Sequence, residues 1–163
     1  MTDTGRLWNR CVRGTVCIVT TTDMQIAALH RYFLSANLMR THFDELLVER
    51  RRSGQPADQN SVLEVEEQIF MSQWYAGLCV VVEGWKELHL QNEAVDRLLN
   101  VEPGPEMVGL VRRYRNGVYH YQRKYWDNRF TDFWAQGAYS PVWVRELNSA
   151  LGRWFVQWFA ERR

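Results

Sequence analysis

The fold class is decided by one long stretch, residues 23–50, which reads DMQIAALHRYFLSANLMRTHFDELLVER. Its apolar side chains recur every three or four residues, at Ile26, Leu29, Phe33, Leu34, Leu38, Phe43, Leu46 and Leu47. This spacing places them on one face of a helix of roughly 28 residues. Thr22 or Asp23 is a suitable N-cap, and the basic run 50–52 before Gly54 marks the helix end. The stretch therefore predicts a long amphipathic helix.

The rest of the chain continues this helical pattern. Residues 53–60 form the clearest loop, after which Asn60 or Ser61 opens a second long helix that ends near His89. Two long helices joined by a short loop are most simply antiparallel neighbours. Further helices are predicted at about 92–99, from 106 to about 114, and, beginning at Ser140-Pro141, to about 160. The sequence predicts an all-α, up-and-down bundle of four to five helices.

The domain layout follows from length and composition. A chain of 163 residues suits one domain with a core and is too short for two comfortable ones. Residues 1–22 are predicted to be a loose lead-in, in which 16–19 extend briefly. Residues 23–163 are predicted to form the bundle, and the segment 122–139 within it is dense in aromatic residues.

Charge is unevenly distributed although the formal net charge is only +1. Residues 43–110 hold 13 acidic and 5 basic side chains, whereas residues 111–163 hold 10 basic and 4 acidic ones. A positive potential in the last third of the chain suits contact with a phosphate backbone. The alternative is that the acidic and basic parts pack together or form a dimer contact.

Several classes of protein and site are disfavoured. The three cysteines, Cys11, Cys17 and Cys79, do not form a secreted disulfide pattern, and no stretch is apolar enough to cross a bilayer, so we expect a cytoplasmic protein without a membrane partner. The histidines lack the spacing of metal ligands, so we expect neither a metal nor another cofactor. The chain also lacks a Gly-x-Ser-x-Gly motif and a glycine-rich phosphate loop.

A chemically distinctive segment, RRYRNGVYHY, occupies residues 112–121. The planar, permanently charged guanidinium of Arg115 suits phosphate, and the imidazole of His120 can transfer a proton near neutral pH. On one straight helix these two side chains would diverge by roughly 140°. A turn or helix start at Asn116-Gly117 could bring them together, because both residues tolerate left-handed backbone.

The pattern of Arg115, Asn116, three variable residues and His120 resembles the Arg-Asn-x-x-x-His motif of the HEPN superfamily. The resemblance covers six residues directly and extends to most of the chain through the helical layout. It implies a helical bundle, a ribonuclease site, and a homodimer whose two motifs face one cleft. Gln122 stands where one subclass, paired with an antitoxin nucleotidyltransferase, carries a tyrosine, so the chain departs from that subclass.

The resemblance implies a metal-independent endoribonuclease that cleaves RNA by attack of the 2′-hydroxyl, as in bacterial toxins and phage-defence effectors, and it leaves room for a cognate antitoxin. Arg115 would stabilise charge at phosphorus, His120 would transfer a proton, and Asn116 would position one of them or cap the helix. Candidate RNA contacts are stacking by Tyr119, Tyr121 and Trp126, and backbone contacts by Arg112, Arg113, Arg123 and Arg129.

Each assignment has a structural alternative. His120 could be a hydrogen-bonded surface or interface residue, the aromatic residues could be core, and Arg112 and Arg113 could form a solvated face. The alternative function is a non-catalytic helical module, similar to HEPN domains, that binds a nucleotide or a protein partner. The two functions differ in what His120→Ala should do, since only the enzyme would lose activity with its folding unchanged.

Overall fold

A computed structural model describes residues 8–10, 16–18, 20–54, 62–124 and 127–162 of the chain. The described part is helical apart from one short antiparallel ribbon, β1 (Trp8–Arg10) and β2 (Val16–Ile18). Six helices follow in chain order: α1 (Thr21–Ser53), α2 (Val62–Glu87), α3 (Glu93–Asn100), α4 (Gly104–Tyr119), α5 (Asn128–Trp134) and α6 (Tyr139–Ala160). The all-α prediction is confirmed at this level, with one helix more than the sequence pattern indicated.

Helix α1 begins two residues before the predicted stretch. Thr20 is the N-cap, and its hydroxyl accepts a hydrogen bond from the Asp23 backbone N–H while the Asp23 carboxylate accepts one from the Thr20 backbone N–H. This capping box satisfies donors that a helix start leaves open. The hydrogen bond from the Thr20 backbone is the main reason that the pKa of Asp23 lies below its ordinary value. At the other end Gly54 adopts the left-handed conformation predicted for a helix stop.

Helices α1 and α2 pack closely and antiparallel. A Cβ atom built on Gly84 would lie 2.4 Å from Leu29, and one built on Gly77 would lie 3.0 Å from Ala36. From Gly77 to Gly84 the residue number on α2 rises, while that of the contacting residue on α1 falls from Ala36 to Leu29. The two helices therefore run in opposite directions. The predicted loop at 53–60 and the predicted start of the second helix at Asn60 or Ser61 lie almost wholly outside the described residues.

The core lies between α2 and its neighbours. Trp74 and Trp85 of α2 are almost fully buried, and both reach toward α6. The Trp74 indole donates to Asn148 Oδ1 at 2.9 Å, and the Trp85 ring meets Trp154 edge-on at 4.7 Å between centroids. The indole N–H of Trp143 on α6 donates to the Leu98 carbonyl oxygen on α3 at 3.0 Å. The Trp85 indole donates to Asp96 Oδ1 of α3 at 3.3 Å. Buried tryptophans that each find a polar partner therefore join the layers of the fold.

The C-terminal half differs from prediction in two places. Helix α4 starts at Gly104, where a Cβ atom would lie 2.3 Å from the Leu98 carbonyl oxygen, and it continues five residues beyond the predicted end at Tyr114. Helix α5 was not predicted, although Phe130, Phe133 and Trp134 recur at helical spacing in the aromatic segment. Its Asp127 N-cap accepts from the Arg129 backbone N–H, and Phe133 is completely buried.

Among the described residues, no helix is both long enough and apolar enough to cross a membrane.

Candidate functional site

Helix α4 passes through the motif without a break. Gly117 keeps a helical backbone, and the helix ends at Tyr119 with His120 as its extended C-cap. The helix therefore runs unbroken through Asn116-Gly117, and neither the turn nor the helix start that could have brought Arg115 and His120 together is formed there. A Cβ atom at Gly117 would lie 2.8 Å from the Phe130 ring of α5, so glycine is needed here for close packing rather than for a turn.

Arg115 faces α2 and is held by a carboxylate. Its Nη2 donates to Glu83 Oε1 at 3.2 Å, and the same oxygen lies 3.4 Å from Nε of Arg112. The Arg115 Nε atom is buried and has no hydrogen-bond partner among the described residues. One carboxylate oxygen thus serves two guanidinium groups, and one of these groups is incompletely satisfied.

His120 lies in a different environment from Arg115. It is exposed and lines an open cleft of about 400 Å³ at the C-terminal end of α4. Tyr119, Tyr121, Gln122 and Lys124 also line this cleft, whereas Arg115 does not. The structure therefore brings His120 together with two tyrosines and a lysine, and it does not bring His120 into the same cleft as Arg115 within one chain.

The floor of this cleft is aromatic and rigid. Tyr114 meets Phe130 edge-on at 5.2 Å between ring centroids, and Phe130 stacks on Trp134 at 6.2 Å. The Tyr114 hydroxyl lies 3.0 Å from the Ser72 hydroxyl of α2, and burial raises the pKa of Tyr114. These contacts fix the base of the cleft on both α2 and α5, so its mouth at His120 is held on a packed support.

The two candidate stacking tyrosines are exposed. Tyr121 is 91% exposed and Tyr119 is 55% exposed, so the alternative that they belong to the core is wrong. Tyr119 is partly fixed, because its hydroxyl donates to Gln73 Oε1 of α2 at 3.2 Å. Trp126, the third stacking candidate, lies outside the described residues. Exposed aromatic rings beside a histidine can accept unpaired bases.

The predicted backbone-contacting arginines are not equally available. Arg113 is exposed but pairs with Asp132 of α5 at 3.2 Å, and Arg112 shares Glu83. Arg129 donates to the Gln122 side chain and lies 3.6 Å from Asp127. Arg123 is exposed and forms no ion pair with any described residue. Arg123 is thus the candidate most free to meet a phosphate.

Sequence reasoning missed three residues of this site: Glu83, Gln122 and Lys124. Glu83 lies on another helix, so no spacing within the motif could have paired it with Arg115. The Gln122 amide donates to the carbonyl oxygen of His120 and thereby supports the end of α4. Lys124 lies in the basic C-terminal part, and the charge distribution was the available signal for it. Asn116, the remaining motif residue, is half-buried on α4 directly after Arg115.

Other features do not single out a competing catalytic centre. No group of three His, Cys, Asp or Glu side chains in the described ranges could hold a metal ion. A larger groove of about 730 Å³ lies between α1 and α6, so size alone does not mark the cleft at His120. Comparisons with protein-family models, curated proteins and solved structures found no significant match for this chain.

Proposed function

We propose that this chain is a HEPN-like, metal-independent endoribonuclease of the toxin or defence type. The observation that carries the proposal is the position of His120, exposed at the mouth of a cleft beside Tyr119, Tyr121 and Lys124. This combination offers a proton-transfer group, two stacking surfaces and a cation within one short segment. The arginine-to-histidine motif supplies the class of chemistry, since it resembles that of helical ribonucleases.

Cleavage without a metal needs three contributions. A base takes the 2′-hydroxyl proton, the 2′-oxygen attacks phosphorus, and an acid protonates the departing 5′-oxygen. The products are a 2′,3′-cyclic phosphate and a free 5′-hydroxyl. His120 would transfer one of these protons, and the Arg115 guanidinium would stabilise the charge that builds on the phosphate oxygens.

A single chain supplies one motif histidine for two proton transfers. A homodimer with two motifs in one cleft provides His120 from each copy, so one acts as base and the other as acid. The same arrangement would bring Arg115 of one copy toward His120 of the other. Arg115 lies in the last two turns of α4 and His120 is its C-cap, so both residues belong to the same end of the helix.

The Glu83 contact sets a condition on this mechanism. Arg115 binds a phosphate only if the guanidinium turns from Glu83 or engages the phosphate with its remaining N–H groups. The proposal therefore includes a competition between the Glu83 carboxylate and the RNA phosphate for Arg115.

The test is incubation of purified protein with mixed RNA in excess EDTA, beside His120→Ala and Arg115→Lys. Arg115→Lys keeps the charge that faces Glu83 but removes the planar fork. Cleavage by the wild type alone, with 2′,3′-cyclic ends, is expected. His42→Ala, which changes a histidine on α1, is the matched control and should cleave like the wild type.

The dimer has its own readout. If each cleft needs both histidines, a one-to-one mixture of wild-type and His120→Ala subunits should keep about a quarter of the activity, because mixed dimers are inactive. Activity of about one half would show that the chains act independently. Equal cleavage by the wild type and His120→Ala would exclude the site.

A second candidate function is a non-catalytic module that binds a nucleotide or a protein partner. The Arg115–Glu83–Arg112 contact favours it, because the Glu83 carboxylate of α2 already engages both arginines of α4. Under this alternative a folded, dimeric wild type binds RNA or a nucleotide without cutting RNA.

A further inference from the structure

A second basic cleft lies between α3 and α6 and shares no lining residue with the cleft at His120. It measures about 320 Å³ and is lined by Arg97 of α3 and by Arg145 and Arg153 of α6. Ser149 lies between the two α6 arginines. The spacing of 145, 149 and 153 by four residues places the three side chains in one row along the helix.

The charges of this α3–α6 cleft are only partly compensated. Among its lining residues, Glu146 is the one acidic side chain against three arginines. Arg97 and Arg153 are exposed and form no ion pair with any residue of the described part. Arg145 meets Asp44 through one terminal nitrogen, which leaves its other N–H groups for a ligand. The cleft therefore carries an excess of positive charge that no described side chain neutralises.

The walls of the cleft are fixed before any ligand arrives. The Trp143 hydrogen bond to the Leu98 carbonyl oxygen ties the end of α3 to α6 at 3.0 Å. Arg145 is held by Asp44 at 2.5 Å and lies over the Trp74 ring at 5.3 Å. Small side chains, Ala94 and Ala150, leave space between the arginines. Arg145 and the two helices that carry the arginines are thus held in place, so this part of the cleft loses little entropy when it binds an anion.

We propose that the α3–α6 cleft is a phosphate-binding site. A guanidinium fork matches two phosphate oxygens, and three such groups with the Ser149 hydroxyl suit a ligand with more than one negative charge. The phosphate can belong to a free nucleotide or to a phosphodiester backbone. This site does not depend on the ribonuclease proposal, since it shares no residue with the motif.

The test is calorimetric titration with inorganic pyrophosphate. The double variant Arg97→Gln/Arg153→Gln should bind pyrophosphate about tenfold or more weakly, because each substitution removes a charged hydrogen bond, and such bonds contribute more to affinity than neutral ones. The matched control is Arg31→Gln with Arg51→Gln, which removes the same charge from two exposed α1 arginines outside the cleft. The control should bind like the wild type. Circular dichroism verifies that both double variants are folded.

Two results would overturn the site. One is equal weakening in both double variants, which means that pyrophosphate responds only to overall charge. The other is no binding by the folded wild type at millimolar pyrophosphate. Glu146→Gln provides an independent check, because removal of the acid that lines the cleft should tighten binding.

The source of the phosphate is resolved by single-stranded RNA. If the cleft binds the RNA backbone, the plot of log affinity against log salt concentration should be less steep for the Arg97/Arg153 variant than for the wild type. The expected difference in slope is about 1.4, which corresponds to two lost phosphate contacts. If that slope is unchanged while pyrophosphate binding is lost, the ligand is a free phosphate compound. Either result supports the phosphate site, and neither depends on whether the chain cleaves RNA.

Discussion

Two carboxylates in this molecule each hold a pair of arginines, and the two clusters differ in how completely their groups are satisfied. Asp44 of α1 uses both oxygens, one for Arg40 at 2.6 Å and one for Arg145 at 2.5 Å. Glu83 of α2 offers one oxygen to Arg112 and Arg115 at 3.4 and 3.2 Å. The first cluster has short contacts and the second has longer, shared ones.

The surroundings extend the difference. From the Asp44 cluster, Arg40 donates to Asn37, Asn148 donates to the same Asn37 oxygen, and Trp74 donates to Asn148. This series of hydrogen bonds joins α1, α2 and α6. At Glu83, by contrast, the buried Nε of Arg115 lacks a partner among the described residues. Polar groups in stable cores are satisfied, whereas functional sites are where a fold tolerates exceptions. We therefore interpret the Asp44 cluster as structural and the Glu83 cluster as part of a working surface.

Asp44→Ala should produce the largest loss of stability. It leaves Arg40 and Arg145 without their carboxylate, and one of them lies over two aromatic rings. Because the cluster is half-buried, the expected cost is about 2–3 kcal/mol in the free energy of unfolding. Urea denaturation followed by tryptophan fluorescence measures it. Glu45→Ala, the exposed neighbour, is the control and should cost well under about 1 kcal/mol. Similar costs for both variants would refute the structural role of the Asp44 cluster.

Gly117→Ala should have the next largest effect. The added Cβ atom would meet the Phe130 ring at 2.8 Å and push α5 away from α4. Overpacking of this kind costs about 1–3 kcal/mol. Gly109→Ala is the matched control, since nothing lies within 4 Å of its added Cβ atom and alanine favours a helix. If Gly117→Ala were as stable as Gly109→Ala, the close contact between Phe130 of α5 and Gly117 of α4 would be refuted.

This glycine shows what could be predicted from the sequence and what could not. Apolar residues at helical spacing predicted α1 and α2, because a buried face must repeat with the helix period. The pair Asn116-Gly117 is typical of a turn, yet it lies inside α4. The reason for a glycine at this helical position is the Phe130 ring, thirteen residues later in the sequence, which leaves no space for a side chain. Glu83 is thirty-two residues from Arg115, so its contact depends on how α2 packs against α4. Local patterns therefore predicted five of the six described helices and singled out His120 as a candidate residue, whereas contacts that depend on how the helices pack could not be predicted.

Glu83→Gln should change RNA binding more than stability. The shared pair is partly exposed, so the free energy of unfolding should fall by less than about 1 kcal/mol. Release of Arg112 and Arg115 should tighten binding of single-stranded RNA and steepen its salt dependence by about 0.7 to 1.4 units of slope. Fluorescence anisotropy at several salt concentrations measures this change. Glu87→Gln, one turn further along α2, removes the same charge without touching either arginine. Equal slopes in the two variants would mean that Arg115 does not contact RNA.

The smallest expected effect concerns His30, at the α1–α6 seam that the Asp44 cluster also joins. The His30 ring lies 4.8 Å from Phe155 and 4.7 Å from Phe159 between centroids, and burial lowers its pKa. Protonation therefore favours the unfolded chain, and stability should fall as the pH drops below the ordinary value of 6.5. His30→Phe should flatten this dependence between about pH 7.5 and 5.5 in thermal unfolding, because phenylalanine does not titrate. His42→Gln, on the same helix but outside this ring cluster, is the control and should retain the wild-type slope. If His30→Phe kept the wild-type dependence of stability on pH, acid would destabilise the contact between α1 and α6 through a group other than His30.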